Sequence, residues 1–367
     1  MKEKALELLN MFYNNGYEAY VVGGFVRDML LKKESYDIDI ATNATPKDIK
    51  EIFKDVKLPG FSYGSVSLIY KKTNFEITTY RMDLEYKDKR KPSKIVYTDK
   101  LIIDLKRRDF TINTFCMDKY GNVIDLLNAI PDLKDKVIKT VGNANDKLSE
   151  DALRILRAIR FATTLDFKLD NDLKDAIINN RDGLNDLSYF RKKQELNKIF
   201  SSPNVLKGID LLKRFNLDDY LGINIDKKIV KTDDPIGIWA QVSPSDKYQF
   251  TNNEKAYLNA ICNVLKDGNI NDIELYKNGN YVCYITAQIL NIDKTSIYDK
   301  YDNLPIKKQE DIKISKKEII DILNLSDKSI LKDIIKDLEM KILLRKLDNK
   351  HDVLLKYIID RYKNNML

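Results

Sequence analysis

The sequence predicts an α+β fold with its strands confined to the first third of the chain, and three observations carry that expectation. Short apolar stretches alternating with period two are interspersed with helical patterns over residues 1 to about 135. From Asp146 onward strand signals fade and helical periodicity takes over, interrupted near Asp182-Gly183, Ser201-Pro203, Asp233-Pro235 and Ser243-Pro244. The length of 367 residues, 43% of them hydrophobic and 32% charged, supports two or more modules with ample core.

The N-terminal MKEKALELLNMF reads as an amphipathic helix rather than a signal peptide. Strands are expected at Ala19 to Val22, Tyr36 to Ile40, Ser65 to Tyr70, Phe75 to Tyr80 and Cys116 to Asp118, forming a small mixed sheet with helices. Thr45-Pro46-Lys47-Asp48 opens a helix, with Thr45 as N-cap and Pro46 in the first helical position. Residues 81–93, RMDLEYKDKRKPS, are polar and aperiodic and read as a loop. Everything after the mixed module is expected to be all-helical, without a fixed internal repeat and with a highly charged C-terminal third.

Composition narrows the function classes. No apolar run approaches the ~20 residues of a membrane span, so a cytoplasmic protein with no membrane partner is expected. Cys116, Cys262 and Cys283 are far apart and form no C-x-x-C pair, which indicates neither a disulfide framework nor zinc. The single histidine, His351, excludes a histidine-based metal phosphohydrolase module. The net charge of +7 is compatible with RNA binding.

The richest stretch runs from Tyr20 to Ile40, YVVGGFVRDMLLKKESYDIDI. A short buried strand leads into Gly23-Gly24, where the backbone can turn tightly and approach a ligand. A helix opens near Phe25, and its N-terminal N–H groups, together with Arg27, favour a polyphosphate. In Tyr36-Asp37-Ile38-Asp39-Ile40 the alternation puts both carboxylates on one strand face. Two such carboxylates can hold Mg²⁺, which is bound through a few carboxylates plus substrate phosphates. Glu76, in the alternating strand Phe75 to Tyr80, can share that face as a third carboxylate or stand simply as an exposed strand glutamate. The combination points to a metal-bound nucleoside triphosphate and to phosphoryl or nucleotidyl transfer.

Two further segments are charged at regular spacing. Arg107-Arg108-Asp109-Phe110-Thr111-Ile112-Asn113 offers a bidentate guanidinium for phosphate. In Ser149-Glu150-Asp151-Ala152-Leu153-Arg154-Ile155-Leu156-Arg157-Ala158-Ile159-Arg160-Phe161, Ser149 is a suitable N-cap. Asp151, Arg154, Arg157 and Arg160 then recur every three residues along one drifting helical stripe. The blander alternatives are a solvated charge cluster and a salt-bridged helix face.

These segments resemble the motifs of the polymerase β nucleotidyltransferase superfamily, in the branch of bacterial CCA-adding enzymes and poly(A) polymerases, the class II tRNA nucleotidyltransferases. The likeness is residue-specific over about residues 20–200 and architectural beyond. It implies a polymerase-β-like head over residues 1–135, a neck with the base-recognition helix over 136–200, a helical body over 201–275 and a helical, tRNA-binding tail over 276–367. It also implies that Asp37 and Asp39 ligate catalytic Mg²⁺, and that Gly24 and Arg27 contact the triphosphate. Arg108 would pair with that triphosphate, while Asp109 and Asn113 reach the ribose hydroxyls.

Asp151 and Arg154 match the pair that serves the family as an amino-acid template. A carboxylate accepts from the exocyclic amine of C or A, and a guanidinium donates to the neighbouring ring nitrogen or carbonyl. U and G present the opposite pattern and are refused. Glu150 would orient Arg154, while Arg157 and Arg160 extend the positive stripe toward phosphate. Arg81, Tyr86, Asp88, Arg90 and Pro92 fall where the family has a mobile loop.

The next helix departs from the family pattern. Phe190 replaces an acid, although Arg191 and Glu195 remain at i,i+4 and can pair. Residues 201–367 carry no motif that attaches to catalysis; Lys227, Lys228, Lys231 and the lysines from Lys307 to Lys317 are candidate backbone contacts. The implied function is addition of C, C and A to the tRNA 3′ end from CTP and ATP. Output restricted to A, to CC or to a poly(A) tail, and a catalytically silent RNA-binding protein, are the alternatives.

Overall fold

The computed structural model describes residues 1–53, 56–60, 64–87, 91–325 and 328–363. The chain divides into two compact units, Met1–Ile223 and Asn224–Leu367.

The first unit begins with α1 (Lys2–Asn14), β1 (Ala19–Val22), α2 (Gly24–Leu30), β2 (Ile38–Thr42) and α3 (Pro46–Ile52). It continues through β3 (Val56–Gly60), β4 (Ser65–Tyr70), β5 (Thr73–Thr79), β6 (Arg81–Lys87), β7 (Lys91–Tyr97) and α4 (Leu101–Lys106). Then come β8 (Cys116–Met117), β9 (Val123–Ile124), α5 (Ile130–Lys134), β10 (Val137–Ile138), α6 (Ala144–Glu150), α7 (Leu153–Thr164) and β11 (Lys168–Leu169). Helices α8 (Asn171–Asn180), α9 (Tyr189–Phe200), α10 (Val205–Arg214) and α11 (Asp218–Leu221) complete it.

The main sheet has seven strands in the order β3-β4-β5-β2-β1-β8-β9. Every pairing is antiparallel except β2 with β5, where Asp39 stands opposite Glu76 and Ile40 opposite Ile77. Alternation along these strands buries Ile38, Ile40, Phe75 and Ile77 and leaves Asp39 and Glu76 on the other face. Helix α1 covers the apolar side with Ala5, Leu8, Leu9 and Phe12, whose ring meets Phe53 edge-on at 5.2 Å. Thr45 caps α3 in a capping box with Asp48, and Pro46 opens the helix.

Several expectations need correction. Residues 81–87 and 91–93 are strand rather than loop: β6 and β7 pair as an antiparallel ribbon, with Arg81 opposite Tyr97 and Met82 opposite Val96. Met82, Leu84 and Tyr86 alternate with charged residues along β6, the period-two pattern of a strand, and Met82, Val96 and Tyr97 are exposed. Asp88 and Arg90 lie outside the described residues. The region after residue 135 is not all-helical either, because β10 and β11 form a short parallel pair. Strand β2 begins at Ile38, so Asp37 sits one residue ahead of it.

The second unit is helical: α12 (Pro235–Gln241), α13 (Asn252–Asp267), α14 (Asp272–Ile289), α15 (Ser296–Asp302), α16 (Lys316–Leu323), α17 (Lys328–Leu343) and α18 (His351–Ile358). Trp239 anchors its core against Tyr248 and Phe250, with ring centroids 4.9 and 5.3 Å away. Helix α14 kinks at Gly279, whose φ of 74° suits a residue without Cβ. Among the described residues no helix is long and apolar enough to cross a membrane.

Candidate active site

A cleft of about 860 Å³ opens in the first unit and gathers most of the singled-out residues. Gly23, Gly24, Arg27, Asp37, Asp39 and Glu76 line it from the sheet side, and Arg108, Asp109 and Asn113 from the segment after α4. Asp151, Arg154, Arg157 and Arg160 line it from α7 and its start. Glu150 is not among the lining residues; it acts on Arg154 from α6.

The glycine turn sets the spacing of the floor. Gly23 has φ 76° and ψ −135°, and its N–H donates to the Phe115 carbonyl at 3.2 Å. A Cβ there would stand 3.4 Å from Arg108 Nη1 and 3.5 Å from Asp39 Oδ2. The turn thus brings the backbone close to both a guanidinium and a carboxylate.

Asp39 opens onto the cleft, yet protein surrounds it closely enough to penalise its charge. That desolvation, followed by the neighbouring Glu76 and then Asp37 charges, pushes its carboxyl up to about 6 against the opposing pull of Arg108 and Arg157. A divalent cation would relieve the repulsion, so the donor set fits one. No group of three or more His, Cys, Asp or Glu side chains is arranged to enclose a metal among the described residues. Two carboxylates leave the remaining positions to phosphate and water oxygens, the arrangement Mg²⁺ favours.

Behind the floor runs a continuous polar network. Arg27 is buried; its Nε donates to Asp28 Oδ1 at 2.8 Å and its Nη1 to Asn113 Oδ1 at 2.7 Å. Asn113 Nδ2 donates to Asp109 Oδ1 at 3.2 Å, and Arg157 Nε donates to Asp109 Oδ2 at 2.6 Å. The Phe110 N–H also donates to Asp109 at 2.9 Å. Burial alone would raise the Asp109 carboxyl, but the Arg157 charge and these donors hold it below its ordinary value. Both side chains expected at the ribose, Asp109 and Asn113, are therefore engaged within the protein.

The Asp151–Arg154 pair is similarly braced. Asp151 follows α6 in an extended conformation, and its Oδ1 accepts from the N–H of Leu153, the first residue of α7, at 3.0 Å. Ser149 is not the cap: it lies inside α6, and its hydroxyl donates to the Asp146 carbonyl. Arg154 Nη1 donates to Glu150 and to the Lys147 carbonyl at 2.7 Å. Arg191 does not pair with Glu195. Its Nη2 donates to Asp151 Oδ2 at 3.1 Å, and Glu195 lies 3.3 Å from Arg160 Nε instead. The i,i+4 pairing gives way because each side chain meets an opposite charge across the α7–α9 contact.

Asp104 was not singled out by the sequence reading. It is 1% exposed, and its carboxylate accepts from Arg107 Nε at 2.9 Å and from Arg108 Nη2 at 3.2 Å. Its spacing of three and four residues before the two arginines was the available signal. Arg108 Nε is buried without a hydrogen-bond partner.

Comparison with known proteins identifies the family. Residues 19–139 match the poly A polymerase head domain. Residues 166–224 match a family described as a probable RNA and SrmB binding site of polymerase A, and residues 246–358 match tRNA nucleotidyltransferase domain 2. The CCA-adding enzyme of Staphylococcus haemolyticus is 32% identical over 98% of both chains. That of Ligilactobacillus salivarius is 33% identical over 96% of this chain and 95% of its own. The crystal structure of the Bacillus stearothermophilus CCA-adding enzyme in complex with CTP superposes with a TM-score of 0.87 at 25% identity, covering 99% of this chain and 98% of that one. With a nucleotide-sized cleft, its carboxylates and arginines, and relatives aligned along nearly its whole length, the chain belongs to the class II tRNA nucleotidyltransferases, the family of the bacterial CCA-adding enzymes.

Proposed function

We infer that the chain adds C, C and A to the 3′ end of tRNA from CTP and ATP, without a nucleic-acid template and with release of pyrophosphate. One observation carries the reading: the Asp37, Asp39 and Glu76 carboxylates and the Asp151–Arg154 pair line one cavity of about 860 Å³, within the range of roughly 300–1,000 Å³ of small-molecule sites. A nucleotide lying between them would have its triphosphate at the carboxylates and its base at the pair. The whole-length likeness to proteins named CCA-adding enzymes supports the same activity.

In this reading Asp37 and Asp39 hold Mg²⁺, with Glu76 beside them, and the ion supplies charge stabilisation at phosphorus and a lowered pKa for the attacking 3′-hydroxyl. Gly23 and Gly24 let the phosphates approach the backbone, and Arg27, Arg108, Arg157 and Arg160 neutralise them. Asp151 accepts from the exocyclic amine and Arg154 donates to the ring edge, so C and A are taken and U and G refused. Asp109 and Asn113 act first as tethers between Arg27 and Arg157; a ribose hydroxyl would share their remaining lone pairs.

Residues 1–135 form the catalytic head, 136–200 the neck, 201–275 the body, and 276–367 a tail that grips tRNA by charge and shape in the cytoplasm. Full CCA addition is favoured over output limited to A, CC or poly(A) by the intact Asp151–Arg154 template. A silent RNA-binding protein would have no use for the neighbouring Asp37 and Asp39 carboxylates on the open cleft, whereas Arg108 and Asp109 also serve the fold.

The test uses tRNA transcripts ending before CCA, after C and after CC, each incubated with single nucleotides and with CTP plus ATP. Products ending at CCA are expected. Extension that stops at CC, or begins only after CC, would assign the restricted activities.

A further inference from the structure

We propose that Phe161 is a positioning residue for nucleotide binding, its ring being the common post against which Arg27, Arg157 and Arg160 are set. The proposal rests on the nucleotidyl-transfer reading above. The three guanidinium carbons stand 5.3, 5.5 and 4.2 Å from the ring centroid, all within the range of ~6 Å over which a cation is drawn to an aromatic face.

The arginines come from two separate elements. Arg27 belongs to α2, immediately after the glycine turn, whereas Arg157 and Arg160 lie on α7 with the ring itself. Three like charges gathered at one site repel. Burial, with Arg157 and Arg27 adding to it, lowers Arg160 to about 10 despite the Glu195 carboxylate.

Each arginine has its own carboxylate: Asp28 for Arg27, Asp109 for Arg157 and Glu195 for Arg160. Those acids neutralise charge, and through Asp109 and Asn113 they link Arg157 to Arg27, but that chain of hydrogen bonds does not take in Arg160. Among the described residues the Phe161 ring is what all three share. It is 8% exposed, and the Phe110 ring packs against it at 5.8 Å with an interplanar angle of 82°, tying it to the Arg108-Asp109-Phe110 segment.

A guanidinium held over an aromatic face keeps its in-plane N–H groups available to oxygen acceptors, so the ring can fix the arginines without occupying the donors a phosphate needs. Leucine or methionine at this position would fill most of the volume and lack the negative face.

The experiment compares wild type with F161L, F161M and F161Y. It records CTP binding by direct titration without tRNA, KM and kcat for CTP and ATP on tRNA transcripts, rejection of UTP and GTP, and thermal unfolding. F161L and F161M are expected to weaken CTP and ATP alike by about tenfold in KM, from the loss of several cation–π contacts. Rejection of UTP and GTP and the KM for tRNA should stay within about twofold, and F161Y should restore nucleotide affinity.

Wild-type CTP affinity in both F161L and F161M overturns the proposal, as does an equal loss in F161Y. An effect on CTP without one on ATP would tie the ring to the base and also overturn it. If F161L unfolds below the assay temperature, F161M makes the same comparison. Failure of the wild type to extend tRNA would sink the underlying reading, whereas the tRNA-free titration judges Phe161 separately.

Discussion

The two units of the chain treat charge in opposite ways. In the first, Arg27, Asp104, Asp109, Arg154, Lys192 and Glu195 are buried charged side chains, most of them bound to partners distant in sequence. In the second, the buried polar side chains among the described residues are Thr232 and Thr286, both neutral. Its ion pairs, such as Lys294–Asp233 at 2.6 Å and Arg345–Asp272 at 3.4 Å, lie at the surface. Burying charge is costly unless every group is paired, and a protein sustains that cost where position has to be fixed. The contrast separates a unit that fixes charged groups in its interior from one that keeps its charges at the surface.

The contrast breaks most sharply at the carboxylates. Asp37→Ala or Asp39→Ala should reduce nucleotide incorporation on the order of a thousandfold or more, since a metal supplies several kcal/mol of transition-state stabilisation. tRNA binding should stay within a few fold. Turnover near the wild-type rate in Mg²⁺, followed by single-turnover incorporation, would remove the central claim.

Next in size is Asp104→Ala, which leaves two arginine head groups without their shared carboxylate. Removing one partner of a buried pair costs about 3–5 kcal/mol. Denaturant unfolding should show that loss.

Asp151→Ala and Arg154→Ala test the proposed base contact at a smaller scale. A bidentate base contact is worth roughly 1–3 kcal/mol of discrimination. Rejection of UTP and GTP should therefore relax about ten- to a hundredfold while incorporation persists, as read by single-nucleotide extension. Undiminished rejection at normal CTP turnover would mean the pair is a surface bridge.

Acid sharpens the comparison further. Asp109's folded pKa lies below the unfolded value of 3.8, so it contributes stability above that pH and loses it as pH falls through the folded value. Asp109→Asn should be less stable than wild type at neutral pH, and the gap should close in acid unfolding curves below about pH 4. The smallest effect is expected in the second unit. Lys294→Ala should leave both the unfolding midpoint and the nucleotide kinetics unchanged within error, because its pair with Asp233 is exposed.

What was legible in the sequence follows the reach of each interaction. Asp37, Asp39 and the stripe from Asp151 to Arg160 announce themselves through spacing of two or three residues, and the structure gathers them along one cleft. Thr45 and Pro46 were legible for the same reason, since a cap is local chemistry. Links spanning many residues were not. Arg27 with Asn113, Arg157 with Asp109 and Arg191 with Asp151 depend on where the fold brings separate elements. Asp104 was hidden differently: in LIIDLK an acid looks like the solvent side of a short helix, and its burial follows from two arginines placed after it. The ribbon of β6 and β7 is different: Met82, Leu84 and Tyr86 do alternate with Arg81, Asp83, Glu85 and Lys87, a period-two signal that the high charge of the stretch obscured.

The parallel pairing of β2 with β5 carries a consequence for fidelity of folding. Asp39 faces Glu76 across the sheet because Ile38 and Ile40 run level with Phe75 and Ile77. Side chains alternate with period two, so a slip by one residue would turn Glu76 from the cleft and expose the apolar row on the same stroke. A misregistered chain would thus be unstable and inert together. The core in this way proofreads the carboxylate face, because a mispaired sheet loses the Asp39–Glu76 juxtaposition and its buried apolar row together.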